Sequence, residues 1–276
     1  MSQITEVRDR LMSIRFYHED PSVLHVGCEP PRAYYIPFSD IKAALEGDRE
    51  RSDMLRNLNG IWDFKYCESI DGLGGEELLS AERLPELAKI AEPDKISVPS
   101  CWQCKGYDTH NYVNTRYPFP FDPPYVPHNN PCAMYEKRVN MQPKEGFRQY
   151  INFEGVDSCF YLWINGSFAG YSQVSHSVSE FDITEYLKKG RNRINVLVFK
   201  WCDGSYLEDQ DKFRMSGIFR DVYILERPEG HIKDLFIKTA VDGTISVTAD
   251  AYAEYELYDG DKLVSSASGR EAVMGV

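Results

Sequence analysis

The sequence predicts an all-β chain: a two-layer antiparallel β-sandwich followed by the opening strands of a second, immunoglobulin-like sandwich. Three observations predict it. Short segments alternate apolar and polar residues through CAMYEKRVNM, FRQYINFEGV, CFYLWING, SFAGYSQ, RNRINVLVFKWC and FRDVYILERP, with little helical periodicity. Turn chemistry separates them, most clearly at Trp163-Ile164-Asn165-Gly166-Ser167-Phe168, where Asn-Gly suits a type I′ hairpin. Beyond Pro228 alternation resumes in HIKDLFIKTAV, TISVTADA and YAEYELYDGDKLVSSAS, with turns at Asp242-Gly243 and Tyr258-Asp259-Gly260-Asp261. The three or four strands expected there are about half of a sandwich of ~100 residues.

The elements follow in order. Residues 1–49 read as an N-terminal arm and a short helix. Pro21, Pro30, Pro31 and Pro37 punctuate the arm. Ser39-Asp40 is placed to cap a helix through IKAALEGDRERSDMLRNL, rich in Ala, Leu, Arg and Glu. From Asn59-Gly60 the period becomes two, and in GIWDFKYCES the residues Trp62, Phe64 and Tyr66 oppose Ile61, Asp63 and Lys65. GGEELLSAERLPELAKIAEPDK reads as a polar loop with a helical turn, and ISVPSCW as a short strand. Tyr117–Pro131 holds six of the fifteen prolines and four aromatics, so it is an extended loop that packs over a surface or lines a pocket. SEFDITEYLKKGRNRI suggests a capped helical turn led by Ser179 and Glu180 and ended by Gly190. The expected domains are residues 1–49, 50–228 and 229–276.

Bulk properties narrow the function. With 276 residues, 42% hydrophobic and 27% charged, the chain can bury a sizeable core. Its net charge of -12 argues against nucleic acid or an anionic membrane as partner, because both demand a basic field. Neutral small molecules, sugars and proteins remain. No apolar stretch approaches the ~20 residues that span a bilayer, and MSQITEVRDRLMSIRFYHED lacks the apolar core of a signal peptide. Seven scattered cysteines fit reduced thiols, and a cytoplasmic location is expected. Asn165-Gly166-Ser167 is formally a glycosylation acceptor but reads as a turn.

Most chemical candidates fail on spacing. Cys101-Trp102-Gln103-Cys104 has no second such pair near it and reads as two ordinary thiols. His18, His25, His110, His128, His176 and His231 are dispersed, outside any nucleophile motif. Gly72-Leu73-Gly74-Gly75 lacks the Lys-Ser/Thr of a phosphate loop. The remaining feature is WCDGSYLEDQDKFRMSGIFRDV, from Trp201 to Val222, with acids at Asp203, Glu208, Asp209 and Asp211. An EF-hand loop needs oxygen donors at its first, third and fifth positions and glycine at the sixth. Counted from Asp203, the fifth is Leu207 and the sixth Glu208, so it is not an EF-hand. A glycosidase pair within so short a loop would have to flank a sugar bond from two sides. The run can therefore be an ion-paired turn, a cation ligand or a substrate contact. Tyr206, Phe213, Met215 and Phe219 interleave with the charges, so the loop folds onto a surface where its acids need partners such as Arg214, Arg220 or a cation.

This run closely resembles a signature of the large bacterial β-galactosidases of glycoside hydrolase family 2, departing from it at Cys202 and Phe213. LNGIWDFKY (Leu58–Tyr66), VPSCWQCKGYDTHNYVNTRYPF (Val98–Phe119), NPCAMYEKRV (Asn130–Val139) and FEGVDSCFYLWINGSFAGYSQ (Phe153–Gln173) resemble the same family. The resemblance covers most of residues 30–228 in order.

The resemblance implies that residues 50–228 form a jelly-roll, galactose-binding-domain-like sandwich and that 229–276 open an immunoglobulin-like domain. It implies a retaining β-galactosidase that hydrolyses terminal β-D-galactosides with two glutamates on a later (β/α)₈ barrel. The chain ends before that barrel, so it is expected to be inactive alone. By the same resemblance Asn114 contacts the galactosyl group, and Asp211 touches the sugar and ligates sodium. Asp203, Gln173 and Asp20 fall on positions of a magnesium site, while a further acid of that set falls on Tyr17. Arg214 and Arg220 are expected to pair with neighbouring acids. The implied partners are a galactoside, the remaining domains of the enzyme and, for the whole enzyme, further copies of itself.

Three rivals differ in what they require. A stand-alone carbohydrate-binding module would need an aromatic platform, for which Tyr117, Phe119, Phe121 and Tyr125 are candidates. A β-glucuronidase or β-mannosidase piece would lack the long LEDQD loop. A purely structural sandwich would leave Asn114 and Asp211 without a role.

Overall fold

The computed structural model describes residues 15–80, 92–112, 114, 116–208 and 211–275. Residues 1–14 of the arm, 81–91 of the polar loop, and Asp209 and Gln210 of the acidic run lie outside the described residues. By compactness the chain divides into two units. The first holds the residues up to Glu29 together with Leu55–Glu226, and the second joins Pro30–Met54 to the chain from Arg227 onward. The segment 30–54, read from sequence as part of an N-terminal arm, thus groups with the C-terminal strands.

The first unit is a sandwich of a seven-stranded and a four-stranded sheet. The larger sheet runs in the order His25–Val26, Ser167–Ser172, Cys159–Ile164, Gly190–Phe199, Cys132–Met141, Gly60–Cys67 and Asp94–Val98. The smaller runs Ser179–Asp182, Phe147–Phe153, Val222–Pro228 and Leu55–Asn57. Side chains from both sheets meet in one core that includes Trp62, Phe64, Ile151, Phe153, Phe160, Phe181, Ile194, Val196 and Ile224. Burying each such side chain contributes roughly 1.5–3 kcal/mol.

The central ladder pairs Cys132–Met141 with Gly190–Phe199 without a slip, from Cys132 opposite Phe199 to Met141 opposite Gly190. Its outer face is apolar too. Leu197, Phe199, Met134, Tyr161, Trp163 and Tyr171 form a second cluster. An apolar sheet face must be covered. Here Ile70, Leu78 and Leu79 cover part of it, and Phe16, Tyr17 and Val23 of the N-terminal segment pack on the rest. Gly170 permits that cover, because a Cβ there would lie 2.2 Å from the carbonyl oxygen of Val26. The Asn165-Gly166 hairpin forms as its sequence demands, with φ of 54° and 86° at the two residues.

Two local expectations are corrected. The helix expected through residues 41–58 stops at Glu46, capped by Asp40 at its start and by Gly47 in the left-handed region at its end. No residue on it is buried, so no packing extends it past glycine. A short 3₁₀ turn at Arg49–Arg51 and the strand Leu55–Asn57 follow. The helical turn expected in SEFDITEYLKKGRNRI forms at Thr184–Tyr186, but Ser179 and Glu180 lie in the strand before it. Asp182 makes the turn, its Oδ1 accepting from the Thr184 N–H at 3.0 Å.

In the second unit, Leu235–Thr239, Thr244–Asp259 and Lys262–Gly275 form a three-stranded antiparallel sheet. TISVTADA and YAEYELYD merge into one 16-residue strand, with a register irregularity between Thr248 and Ala253. Val247, Ala249, Ala272 and Met274 are buried, whereas Phe236, Ile237, Tyr252 and Val273 remain exposed. Among the described residues, no helix is long and apolar enough to cross a membrane.

Candidate functional site

The acidic run leaves the end of the Gly190–Phe199 strand and divides into two environments. Its first half is a buried 3₁₀ turn, Asp203–Tyr206. Ser205 Oγ accepts the Cys202 N–H at 3.0 Å and holds the turn closed. Arg214 is buried and donates to two backbone carbonyls, those of Ser205 and Glu208, each at 2.7 Å. Arg220 donates to the carbonyl of His176 at 3.2 Å. Among the described residues, the hydrogen bonds of both arginines go to backbone carbonyl oxygens and not to the acids expected to pair with them; Asp209, one of those acids, lies outside the described residues.

Asp203 is 9% exposed and Gln173 3%. The Gln173 amide donates to the Val23 carbonyl at 3.2 Å, while Gln173 Oε1 and Asp203 Oδ1 are buried and lack a hydrogen-bond partner among the described residues. Burial pushes the Asp203 carboxyl up from its ordinary range, against the Gly204 backbone N–H and Gln173, which favour the charged form; the charge of Asp20 raises it further. Asp20 itself is exposed, and its Oδ1 accepts from the Ser22 N–H at 3.0 Å and hydroxyl at 2.6 Å. Tyr17 is committed to packing, its ring against Tyr161, Phe168 and Tyr171.

The second half of the run belongs to a ribbon. Phe213–Arg214 pairs antiparallel with Asn111–Tyr112, setting Phe213 opposite Tyr112 and Arg214 opposite Asn111. The Tyr112 hydroxyl donates to Asp211, 99 residues away in sequence. That hydrogen bond pushes the Tyr112 phenol up, while Asn114 acts on it in the opposite sense. Asn114 lies in the turn that follows, and both Asn114 and Asp211 are exposed. The structure thus brings together Asn114, Tyr112 and Asp211, and holds Asp203, Gln173 and Asp20 as a separate group.

A polar network built on the buried Lys200 pins both arms of the ribbon. Lys200, 5% exposed, donates to Asp108 at 2.6 Å and to the Thr109 carbonyl at 3.1 Å. Gln103 donates to the same Asp108 oxygen at 3.1 Å and accepts the Ser216 N–H at 2.8 Å. One arm leaves from Asp108 and the other arrives at Ser216, so the ribbon is clamped at its base.

The proline-rich loop packs inward around one residue. Tyr206 is ringed by Tyr117, Phe119 and Phe121 at centroid distances of 5.4, 5.4 and 5.5 Å. Its hydroxyl donates to the Tyr125 carbonyl at 2.6 Å, and its carbonyl accepts from Tyr117 at 2.9 Å. Tyr117 and Phe119 of the expected aromatic platform are thereby half-buried against the acidic loop, whereas Phe121 and Tyr125 stay 67% and 59% exposed. Sequence reasoning missed Tyr206 as that centre, Tyr112 as the partner of Asp211, and Lys200 with Asp108. Only Tyr206 left a signal, as an aromatic interleaved among the charges. The seven cysteines are free thiols, and burial pushes Cys101 up to about 11, well away from a reactive thiolate.

Comparison with known proteins agrees with this fold. The profile described as "Glycosyl hydrolases family 2, sugar binding domain" matches residues 55–228. A β-galactosidase of Actinobacillus pleuropneumoniae is 50% identical over 82% of this chain and 21% of its own length. One of Staphylococcus xylosus is 44% identical over 81% of this chain and 22% of its own. The chain thus spans about a fifth of the length of these relatives. Among solved structures, an uncultured Clostridium sp. β-glucuronidase superposes with a TM-score of 0.61 at 21% identity, covering 80% of this chain and 38% of that one. A Faecalibacterium prausnitzii β-glucuronidase gives 0.59 at 17% identity, over 80% of this chain and 40% of that one. At such identities the likeness speaks to the fold. Matched over most of its sandwich by the family profile, the chain belongs to glycosyl hydrolases family 2, through its sugar-binding domain.

Proposed function

We propose that this chain is the N-terminal portion of a retaining β-galactosidase, with the Asn111–Arg214 ribbon reaching the galactosyl group of a terminal β-D-galactoside. One observation carries the reading. Asn114 and Asp211, far apart in sequence, are held exposed at one ribbon whose base is fixed by the Lys200–Asp108–Gln103 network. A side chain amide and a carboxylate held together can accept and donate to sugar hydroxyls, and the clamp below keeps them in place without spending ordering entropy at binding. The bond-breaking carboxylates belong to the remaining domains, so the chain alone is inactive. The Ser167–Ser172 and Gly190–Phe199 strands and their neighbours then serve as a jelly-roll scaffold, and the cell compartment is the cytoplasm.

Cations fit two places. Asp211, a carboxylate on the ribbon, would hold sodium beside the sugar. Asp203 Oδ1 and Gln173 Oε1, two buried oxygens without partners, suit a hard divalent cation such as magnesium, with Asp20 adding negative charge. Among the described residues no cluster of three or more His, Cys, Asp or Glu side chains could hold a metal. Such a site would therefore complete its shell with the Gln173 amide oxygen, backbone carbonyls or water. A bound cation there would lift the burial penalty on Asp203 and tie the N-terminal segment to the acidic turn.

The test is made in the full-length enzyme on nitrophenyl β-D-galactoside and nitrophenyl β-D-glucuronide. Asp211→Asn and Asn114→Ala are each expected to lower kcat/KM on the galactoside about 100-fold, the scale of one lost sugar contact that strengthens in the transition state. Unchanged turnover in both variants, or preference for the glucuronide, would overturn the reading. Calorimetry of residues 1–276 with galactose is expected to give weak or no binding. Tight binding there would favour a self-sufficient carbohydrate module.

A further inference from the structure

The seven-stranded sheet carries a second polar feature, independent of the sugar site. A cavity of about 330 Å³ is lined by Arg138, Asn165, Lys188, Arg191, Asn192 and Arg193. Register sets Arg138 and Arg193 directly opposite each other in the central ladder. Like charges facing each other across a strand pair destabilise a sheet. On the next strand, the Asn165 N–H donates to the Arg193 carbonyl at 2.8 Å, so Arg138, Arg193 and Asn165 form a row across three strands.

Charge compensation reaches one of these cations. Glu136 is buried, and its Oε1 accepts from Arg138 Nε and Nη2, each at 2.9 Å. Its Oε2 accepts from Asn195 at 3.1 Å, so both carboxylate oxygens are engaged within the sheet. Among the described residues, no acid pairs with Lys188, Arg191 or Arg193, although the whole chain has a net charge of -12. The two asparagines build the frame. Asn192 accepts the Lys188 N–H at 2.9 Å and donates to the carbonyls of Lys188 and Gly190 at 2.7 and 2.9 Å. Asn165 donates to Asn192 at 2.8 Å. The turn that carries Lys188 and Arg191 is therefore fastened to the strand ends and does not swing free.

Uncompensated cations held on a rigid frame around an open cavity favour an anion that can take several charge-assisted hydrogen bonds at once. We propose that this cavity binds a phosphate- or sulfate-type oxyanion, free or as the end group of a larger molecule, through Lys188, Arg191 and Arg193.

Isothermal titration of the chain with inorganic phosphate, at an ionic strength held constant with chloride, is expected to show one saturable site. The side chains of Lys188 and Arg191 are exposed, so the double variant Lys188→Ala/Arg191→Ala is expected to fold and to bind phosphate at least tenfold more weakly. Lys233→Ala/Lys262→Ala, in the other unit, serves as the charge-matched control and is expected to bind as the parent does. Glycerol 3-phosphate titrated in parallel, and in competition with phosphate, distinguishes an ester end group from the free anion. The absence of a saturable site, equal loss in the control, or full binding in the Lys188/Arg191 variant overturns the proposal.

Discussion

Asp203 and Asp211 stand in the same run of sequence, yet the fold gives them opposite circumstances. Asp203 is buried at the end of the central strand, with one oxygen unpartnered and its carboxyl pushed up by burial. Asp211 is exposed at the end of a two-stranded ribbon, where Tyr112 donates to it. The difference teaches that a carboxylate's task is set by what surrounds it. A buried acid without partners costs stability until a proton or cation relieves it. An exposed acid on a clamped ribbon costs little and is free to meet a ligand.

The largest test of this contrast acts on the foundation beneath the exposed acid. Lys200→Met leaves the Asp108 carboxylate without its buried partner and is expected to lower stability by about 3–5 kcal/mol. Urea denaturation measures it, and a shift of the midpoint no larger than that of a surface variant would remove the clamp from the account.

The next concerns the segment that brings Asp20 toward the buried acid. His18 stacks on Phe199 at 4.6 Å and contacts the Tyr161 hydroxyl through Nδ1 at 3.0 Å. Because that hydroxyl donates to the Arg15 carbonyl, the His18 Nδ1 is the donor in their contact. Burial lowers the His18 pKa from 6.5 to about 4. The neutral ring is thus the native form. Its contribution is complete above the unfolded value and is lost as pH falls from 6.5 toward 4, by about 3 kcal/mol at most. His18→Phe is expected to flatten the stability profile across that window, read by thermal melts at stepped pH.

Asp203→Asn removes the buried charge and keeps the shape. Because the folded carboxyl is raised, its ionisation costs stability as pH rises through the folded value, and the cost is present at neutral pH. In divalent-free buffer the variant is expected to be more stable than the parent by about 1 kcal/mol. Magnesium is expected to raise the melting temperature of the parent and not of the variant. Destabilisation of the variant in chelator-treated buffer would contradict this.

The smallest effect belongs to the exposed acid. Asp211→Asn is expected to change stability by less than about 0.5 kcal/mol and to let the Tyr112 phenol fall back toward its ordinary value, since the hydrogen bond to Asp211 is the first cause of its rise. Ring-carbon NMR of Tyr112 across alkaline pH reads this directly, and an unmoved titration would detach Tyr112 from Asp211.

How much of this was legible in the residues varies by region. Where a segment's own pattern decides, sequence was enough: the period of two over Cys132–Met141 and Gly190–Phe199, and the Asn165-Gly166 turn, were read as they formed. Where packing decides, it was not. Helix propensity through residues 41–58 favoured a long helix, but Gly47 and the lack of a buried face ended it early. Arg214 looked like a counterion for nearby acids, whereas the irregular loop presented it with carbonyls. Tyr117 and Phe119 looked like part of an open platform but are half-buried against Tyr206, whereas Phe121 stays 67% exposed.

Sequence by itself determined that the chain is all-β and where its strands and turns fall. Those properties follow from side-chain periodicity and turn residues, which act within a few positions of the chain. Only the tertiary structure decided that Asp203 is buried beside Gln173 while Asp211 meets Tyr112 in the open. Pairing of Phe213 with Tyr112, and the bond between Lys200 and Asp108, join segments 92 and more residues apart. Burial and long-range register, which set the energy of every charge here, exist only once those segments meet.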